Sequence, residues 1–159
     1  MTNFESVKDF MRAFDQSARA SLRELNVDTL KLLNFRARLL TEEQTETNNA
    51  INDFTAWATA KIEPTQTDEY RRARAAEAAH EIVDGLIDQL YIIYGTLHTF
   101  GINADEAFRR VHAANMSKLD ADGKPIYRED GKVLKGPKFK PPVLNDLITG
   151  SVDKNTNVL

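Results

Sequence analysis

Apolar positions recur at helical spacing through the first 119 residues, and no stretch there alternates as a strand would. Thr2-Asn-Phe-Glu5 reads as a capping box ahead of Phe4, Val7, Phe10, Met11 and Phe14, which predicts a short first helix. Asp28 is placed to cap a second helix whose stripe is Leu30, Leu33, Ala37, Leu40, Ile51, Phe54 and Ala58, and Pro64 must end it. At roughly 30 residues this helix would span about 45 Å. A third of similar length runs from Gln66 to Thr99 and stops at Gly101. A fourth opens at Asn103 or Ala104, with Ala107, Phe108, Val111 and Met116 on its apolar face.

After Lys118 the pattern breaks, because four of the five prolines and four of the seven glycines lie from Gly123 onward. An Asp130-Gly131 turn between short apolar runs, within Pro125 to Leu134, signals a hairpin. Val143 to Ile148 adds one last helical turn before a polar tail from Ser151. Two long helices joined by a tight loop form an antiparallel pair with a second face to bury, and the first and fourth helices are too short to cover it. The expected fold is all-α, a four-helix bundle completed by dimerisation, with a short C-terminal hairpin or loop extension. The 159 residues read as one domain, residues 1–119 its helical part and 120–159 its Pro/Gly-rich extension.

The third helix holds the chemistry. From Ile82 to Leu97 apolar side chains fall on nearly every face, which predicts a helix buried on most sides, yet Asp84 and Asp88 sit within it on a common face. Two unpaired carboxylates there would repel and resist desolvation, and the nearest cations in sequence, Arg71, Arg72 and Arg74, are two or more turns away. The second helix carries Glu42-Glu43-Gln-Thr-Glu46 midway along its length. Acid runs on helices ordinarily line solvated surface, but the buried setting expected for Asp84 and Asp88 argues otherwise. If the two helices pack antiparallel, Glu43, Glu46, Asp84 and Asp88 converge on one hard cation or two, and Mg²⁺ suits such an oxygen set.

Charge and composition narrow the alternatives. With 21 Lys and Arg against 24 Asp and Glu, no nucleic-acid partner is expected. Lys118 to Lys140 nevertheless holds seven basic and four acidic side chains, so acids and bases are segregated as a site for metal-bound phosphates requires. The absence of cysteine excludes disulfides, thiolate metal sites and thiol nucleophiles. No signal segment or run of 18 apolar residues appears, and a cytoplasmic protein with no membrane partner is expected. A di-iron bundle would need two Glu-x-x-His motifs, and only Glu77-Ala-Ala-His80 is present. His80, His98 and His112 therefore read as packing or hydrogen-bonding residues, and Trp57, Tyr91 and Tyr94 as core. No Gly-rich phosphate loop exists, so phosphate contacts must come from side chains such as Asn115 and Lys118, three apart on one face at the end of the fourth helix.

Arg36-Ala-Arg-Leu-Leu-Thr-Glu42-Glu43-Gln-Thr-Glu46, Asp88-Gln-Leu-Tyr-Ile-Ile-Tyr-Gly95, Gly101-Ile-Asn-Ala-Asp and Val111-His-Ala-Ala-Asn-Met-Ser-Lys118 follow one another over residues 28–119. In order and spacing these blocks resemble the MazG-like all-α nucleoside triphosphate pyrophosphohydrolases, a superfamily that includes phosphoribosyl-ATP pyrophosphohydrolase and dimeric dUTPase-like enzymes. The resemblance implies a homodimer or homotetramer that cleaves a nucleoside triphosphate between its α and β phosphates, releasing a nucleoside monophosphate and pyrophosphate. The cofactor would be Mg²⁺, with Mn²⁺ as substitute. Residues 1–119 would then be the catalytic part. Glu43, Glu46, Asp84 and Asp88 would be metal ligands and Glu42 or Glu43 would activate water. Asn115, Lys118, Arg36 and Lys138 would contact phosphate, with Arg38 and Lys140 as further helpers. One departure stands out: the family's usual Glu-x-x-Asp has Gly85 in place of its glutamate, and Asp84 is read as the substitute ligand. The alternative is a non-catalytic nucleotide-binding or structural helical dimer.

Overall fold

The structure is a computed structural model that describes residues 1–16, 20–24, 26–59 and 67–149. Among the described residues five helices follow one another: α1 (Asn3–Ala13), α2 (Val27–Thr59), α3 (Asp68–Thr99), α4 (Ala104–Met116) and α5 (Asn145–Thr149). Among the described residues there is no strand, and the fold is all-α. Pro64, Gln66 and the tail from Ser151 lie outside the described residues. By packing, the chain divides into two compact units, Asn26–Thr96 and the combination of Met1–Leu25 with Leu97–Leu159.

In the second of these units the caps are those the sequence encodes. Thr2 accepts from the Glu5 backbone N–H while the Glu5 side chain accepts from the Thr2 N–H, closing the capping box of α1. Phe4, Val7 and Met11 are buried with Ala20, Thr99, Phe100, Ile102, Ala104 and Ala114, and Phe4 meets His98 edge-on at 6.1 Å. α3 ends in a Schellman motif, with Ile102 N–H donating to Leu97 O and Gly101 N–H to His98 O, both at 2.9 Å. Gly101 supplies the positive φ of 70° that this motif requires. Asn103 caps α4 by accepting from the Glu106 N–H. The inward face of α4 differs from the expected one: Phe108 and Met116 are exposed, and Ala104 and Ala114 are its buried residues.

The extension turns twice, at Gly123 and Gly131, both at positive φ. The expected hairpin shrinks to a single antiparallel bridge between Tyr127 and Val133, because two short runs with no third strand gain too little to propagate a ladder. Gly136 N–H then donates to Lys118 O at 2.8 Å, and Ser117 Oγ accepts from Lys140 N–H at 3.0 Å, which ties the extension to the end of α4. A Cβ on Gly136 would lie 2.4 Å from Leu119 O, so only glycine permits this approach.

Asn26–Thr96 holds α2 and most of α3 as an antiparallel pair: Trp57 packs edge-on to Tyr70 at 5.9 Å, and Thr47, ten residues earlier, meets Gly85 and Gln89. Asn26, not Asp28, supplies the cap of α2, its side chain accepting from Thr29 N–H at 2.8 Å. Thr67 Oγ1 does the same for α3 by accepting from Tyr70 N–H at 3.1 Å. The inward seam of α2 runs through Thr29, Leu32, Arg36, Leu39, Glu43, Thr47 and Ala50, one position off the expected stripe, whose Leu30, Leu33, Ile51 and Phe54 are exposed. On α3 the seam is Ala78, Ile82, Gly85, Gln89, Ile92 and Gly95. Both advance in steps of three or four residues, the pattern of a helix-pair seam. Gly85 in it lets the backbones approach closely at Thr47, and Val83, Leu86, Leu90 and Ile93 stand on the shoulder of α3. α3 is therefore not buried on most sides within this chain: Val83, Leu86, Leu90 and Ile93 are 40% to 61% exposed.

Candidate active site

The acids gather where these two seams pass each other. Glu43 is itself a seam position and is half-buried, while Glu42 and Glu46 flank it on exposed ground. Asp84 and Asp88 each precede a seam residue of α3, Gly85 and Gln89, and so stand along one shoulder. Both aspartates are exposed, contrary to the buried setting expected from the apolar run, because that run's bulk faces outward.

Electrostatics link the five side chains. The Glu43 carboxyl is pushed above its ordinary value, first by burial and then by the negative charges of Asp88, Glu46, Glu42 and Asp84. No ion pair of the described residues involves any of these five acids. As they stand, no three His, Asp or Glu side chains among the described residues converge closely enough to hold a metal ion. Uncompensated carboxylates repel, and exposed ones spread into water. A hard divalent cation fits this donor set, since every donor is a carboxylate oxygen and such an ion would relieve the repulsion that adds to burial in raising Glu43.

Thr47 and Gln89, which the sequence reading passed over, join the two acidic segments. Thr47 Oγ1 donates to Glu43 O and accepts from Gln89 Nε2, both at 2.8 Å, and Gln89 Nε2 also donates to Gly85 O at 3.2 Å. Thr47 is only 4% exposed. A Cβ on Gly85 would lie 2.4 Å from Thr47 Oγ1. The signal available in the sequence was a hydroxyl one turn after Glu43, opposite a glycine.

The expected phosphate contacts divide between the two units. Arg36 lies two turns before Glu43 on the same seam, 7% exposed, and its burial lowers its basicity. Arg38 is exposed on α2. Asn115, Lys118, Lys138 and Lys140 belong to the other unit. There Lys118 Nζ donates to Asn115 Oδ1 at 2.8 Å, as their shared face predicts, and the Gly136 bond brings the segment bearing exposed Lys138 beside them. The aromatic and imidazole side chains are mixed in placement. Trp57 and Tyr94 are half-buried, Tyr91 is exposed, His98 packs on Phe4, and His80 and His112 are exposed.

An all-α chain whose antiparallel long helices present five neighbouring carboxylates has the features of a metal-dependent phosphohydrolase of the helical-bundle kind. A model of the phosphoribosyl-ATP pyrophosphohydrolase family matches residues 7–115. The chain belongs to this family, within the MazG-like all-α superfamily, and is a pyrophosphohydrolase, a hydrolase of phosphoric anhydrides. The family acts on nucleotides with a divalent metal. No curated protein matches the chain. No helix among the described residues is long and apolar enough to cross a membrane.

Proposed function

We propose that this chain hydrolyses a nucleoside or deoxynucleoside triphosphate between the α and β phosphates, giving the monophosphate and pyrophosphate. The observation that carries the reading is the half-buried Glu43, its carboxyl pushed above the ordinary value by burial and by the negative charges of four neighbouring carboxylates on two antiparallel helices. Glu43, Glu46, Asp84 and Asp88 would hold Mg²⁺, or Mn²⁺ in its place. When bound, the ion supplies positive charge against the phosphate oxygens and the charge that develops on them. Glu42 stands outside this ligand set on exposed ground, and it or Glu43 accepts the proton of the attacking water. Phosphate-contact roles for Asn115, Lys118, Lys138 and Arg36 rest on the resemblance.

A homodimer, or a homotetramer built from it, is part of the same reading. Val83, Leu86, Leu90 and Ile93 repeat at three- and four-residue spacing on the exposed shoulder of α3, which is the pattern of a second helix seam. A second copy of the pair covers such a face and completes a four-helix bundle.

The test is pyrophosphate release from dUTP, dCTP, dGTP, dATP and phosphoribosyl-ATP, with and without Mg²⁺. Mg²⁺-dependent release from one or more triphosphates is expected. Release from phosphoribosyl-ATP alone would replace the triphosphate reading with the substrate the family is named for.

A further inference from the structure

We propose that Thr47 and Gln89 are positioning residues for the hydrolysis that releases pyrophosphate, a neutral link that holds the acidic turns of α2 and α3 in register and for which Gly85 makes room. The proposal rests on the reading of the five acids as a metal and phosphate site.

Back-bonding by threonine is a habit of α2: Thr41, Thr45, Thr55 and Thr59 each donate to the carbonyl four residues earlier. Each of these is exposed, and none bonds to a side chain of α3 among the described residues. Thr47 alone of this set is buried and bonded across the pair. Its hydroxyl has one proton, given to Glu43 O, and a lone pair that takes the Gln89 amide N–H. The chain of bonds therefore begins one residue from Asp88 and ends on the backbone of Glu43, fixing the axial offset of the two acidic segments.

Gly85 is the condition for this link. A side chain there would begin 2.4 Å from Thr47 Oγ1, and turning the hydroxyl away would break both of its bonds. The family's usual glutamate at this position and the Thr47 link thus exclude each other. The acids on either side depend on this neutral interhelical bond for their spacing.

Thr47→Val keeps the shape of the side chain and removes the hydroxyl, while Thr47→Ser keeps the hydroxyl. Four quantities are compared: Mg²⁺ affinity of chelator-stripped protein by calorimetry, melting temperature, and kcat and KM on a triphosphate the wild type hydrolyses. Thr47→Val is expected to weaken Mg²⁺ binding about 10-fold and to lower kcat about 10- to 100-fold, in the range for residues that orient ligands, with KM nearly unchanged. Thr47→Ser should match wild type in both. Gly85→Ala should lower the melting temperature, and Gly85→Ala with Thr47→Ala should recover it without recovering Mg²⁺ affinity. Wild-type affinity in Thr47→Val, equal losses in Thr47→Ser, or an unaltered melting temperature in Gly85→Ala would each overturn the link. A wild type that binds Mg²⁺ but hydrolyses no nucleotide fails the functional reading alone, and the link is then decided by affinity. A wild type that binds no divalent ion overturns both.

Discussion

At the scale of single residues the acids differ in what each can be asked to do. Glu46 is exposed and makes no ion pair among the described residues, so Glu46→Gln removes charge without removing a structural partner. Hydrolysis should fall at least about 100-fold, roughly 3 kcal/mol of transition-state stabilisation, while metal-free melting holds or rises. A loss of metal-free stability with activity retained would make Glu46 structural. Asp84 and Asp88 are about 40° apart around α3. If Asp84 stands in for the glutamate missing at Gly85, Asp84→Ala abolishes turnover and weakens Mg²⁺ binding, and wild-type turnover at saturating Mg²⁺ would remove it from the ligand set. Gly85→Glu should lower activity rather than restore a ligand, because the first carbon of the new side chain meets Thr47. Glu43 gives a pH signature. Its folded value lies above the ordinary 4.5, so folding takes up a proton between those two values. Metal-free protein should therefore lose stability as pH rises through that window, and Glu43→Gln should flatten the trend when melting is followed in chelator.

At the scale of elements, the caps of α1 and α4 and the stop of α3 were legible in the sequence because each is written in one or two residues, Thr2 with Glu5, Asn103 and Gly101, whereas the cap of α2 falls to Asn26 and not Asp28. The seam of α2 was not. Counting large apolar residues finds Leu30, Leu33, Ile51 and Phe54, but the contact of Thr47 with Gly85 sets the frame one residue away, through Leu32, Leu39 and Ala50. The acids were legible as residues, since charge inside an apolar run is conspicuous. Their exposure was not, because it depends on which shoulder of α3 the seam leaves open. α5 is held by contact rather than by its five residues: Arg110 donates from Nη1 and Nη2 to the two Asp146 oxygens at 2.5 and 2.8 Å, and from Nε to Glu106 at 2.7 Å. Hydrogen bonds from Arg109 and Arg110 draw the Glu106 carboxyl down to about 2, and the Arg110 bond lowers Asp146. Both acids are then deprotonated more readily folded than unfolded, so their stabilisation is complete above ordinary carboxylate values and is lost as pH falls through the lowered ones. Exchange of the α5 amides should quicken over that acidic range, and Asp146→Asn should quicken it at neutral pH. Unchanged protection in Asp146→Asn would show that this clamp does not hold α5.

At the scale of the whole molecule, the exposed shoulder of α3 and the acidic cluster lie on one helix pair, so assembly and activity should be coupled. Light scattering at micromolar concentration should give at least twice the 17.9 kDa of one chain, and Leu86→Glu with Leu90→Glu should reduce it toward that single mass. A wild type with the mass of one chain would refute assembly through this face. Chemistry at the acids is tested most directly by identifying the products. A triphosphate that the wild type consumes should be followed by phosphorus NMR with Mg²⁺, with chelator, and with Glu46→Gln. Nucleoside monophosphate and pyrophosphate in equal amounts are expected from wild type with Mg²⁺, and little turnover in the other two. Diphosphate and orthophosphate as products, or equal turnover in chelator, would contradict this.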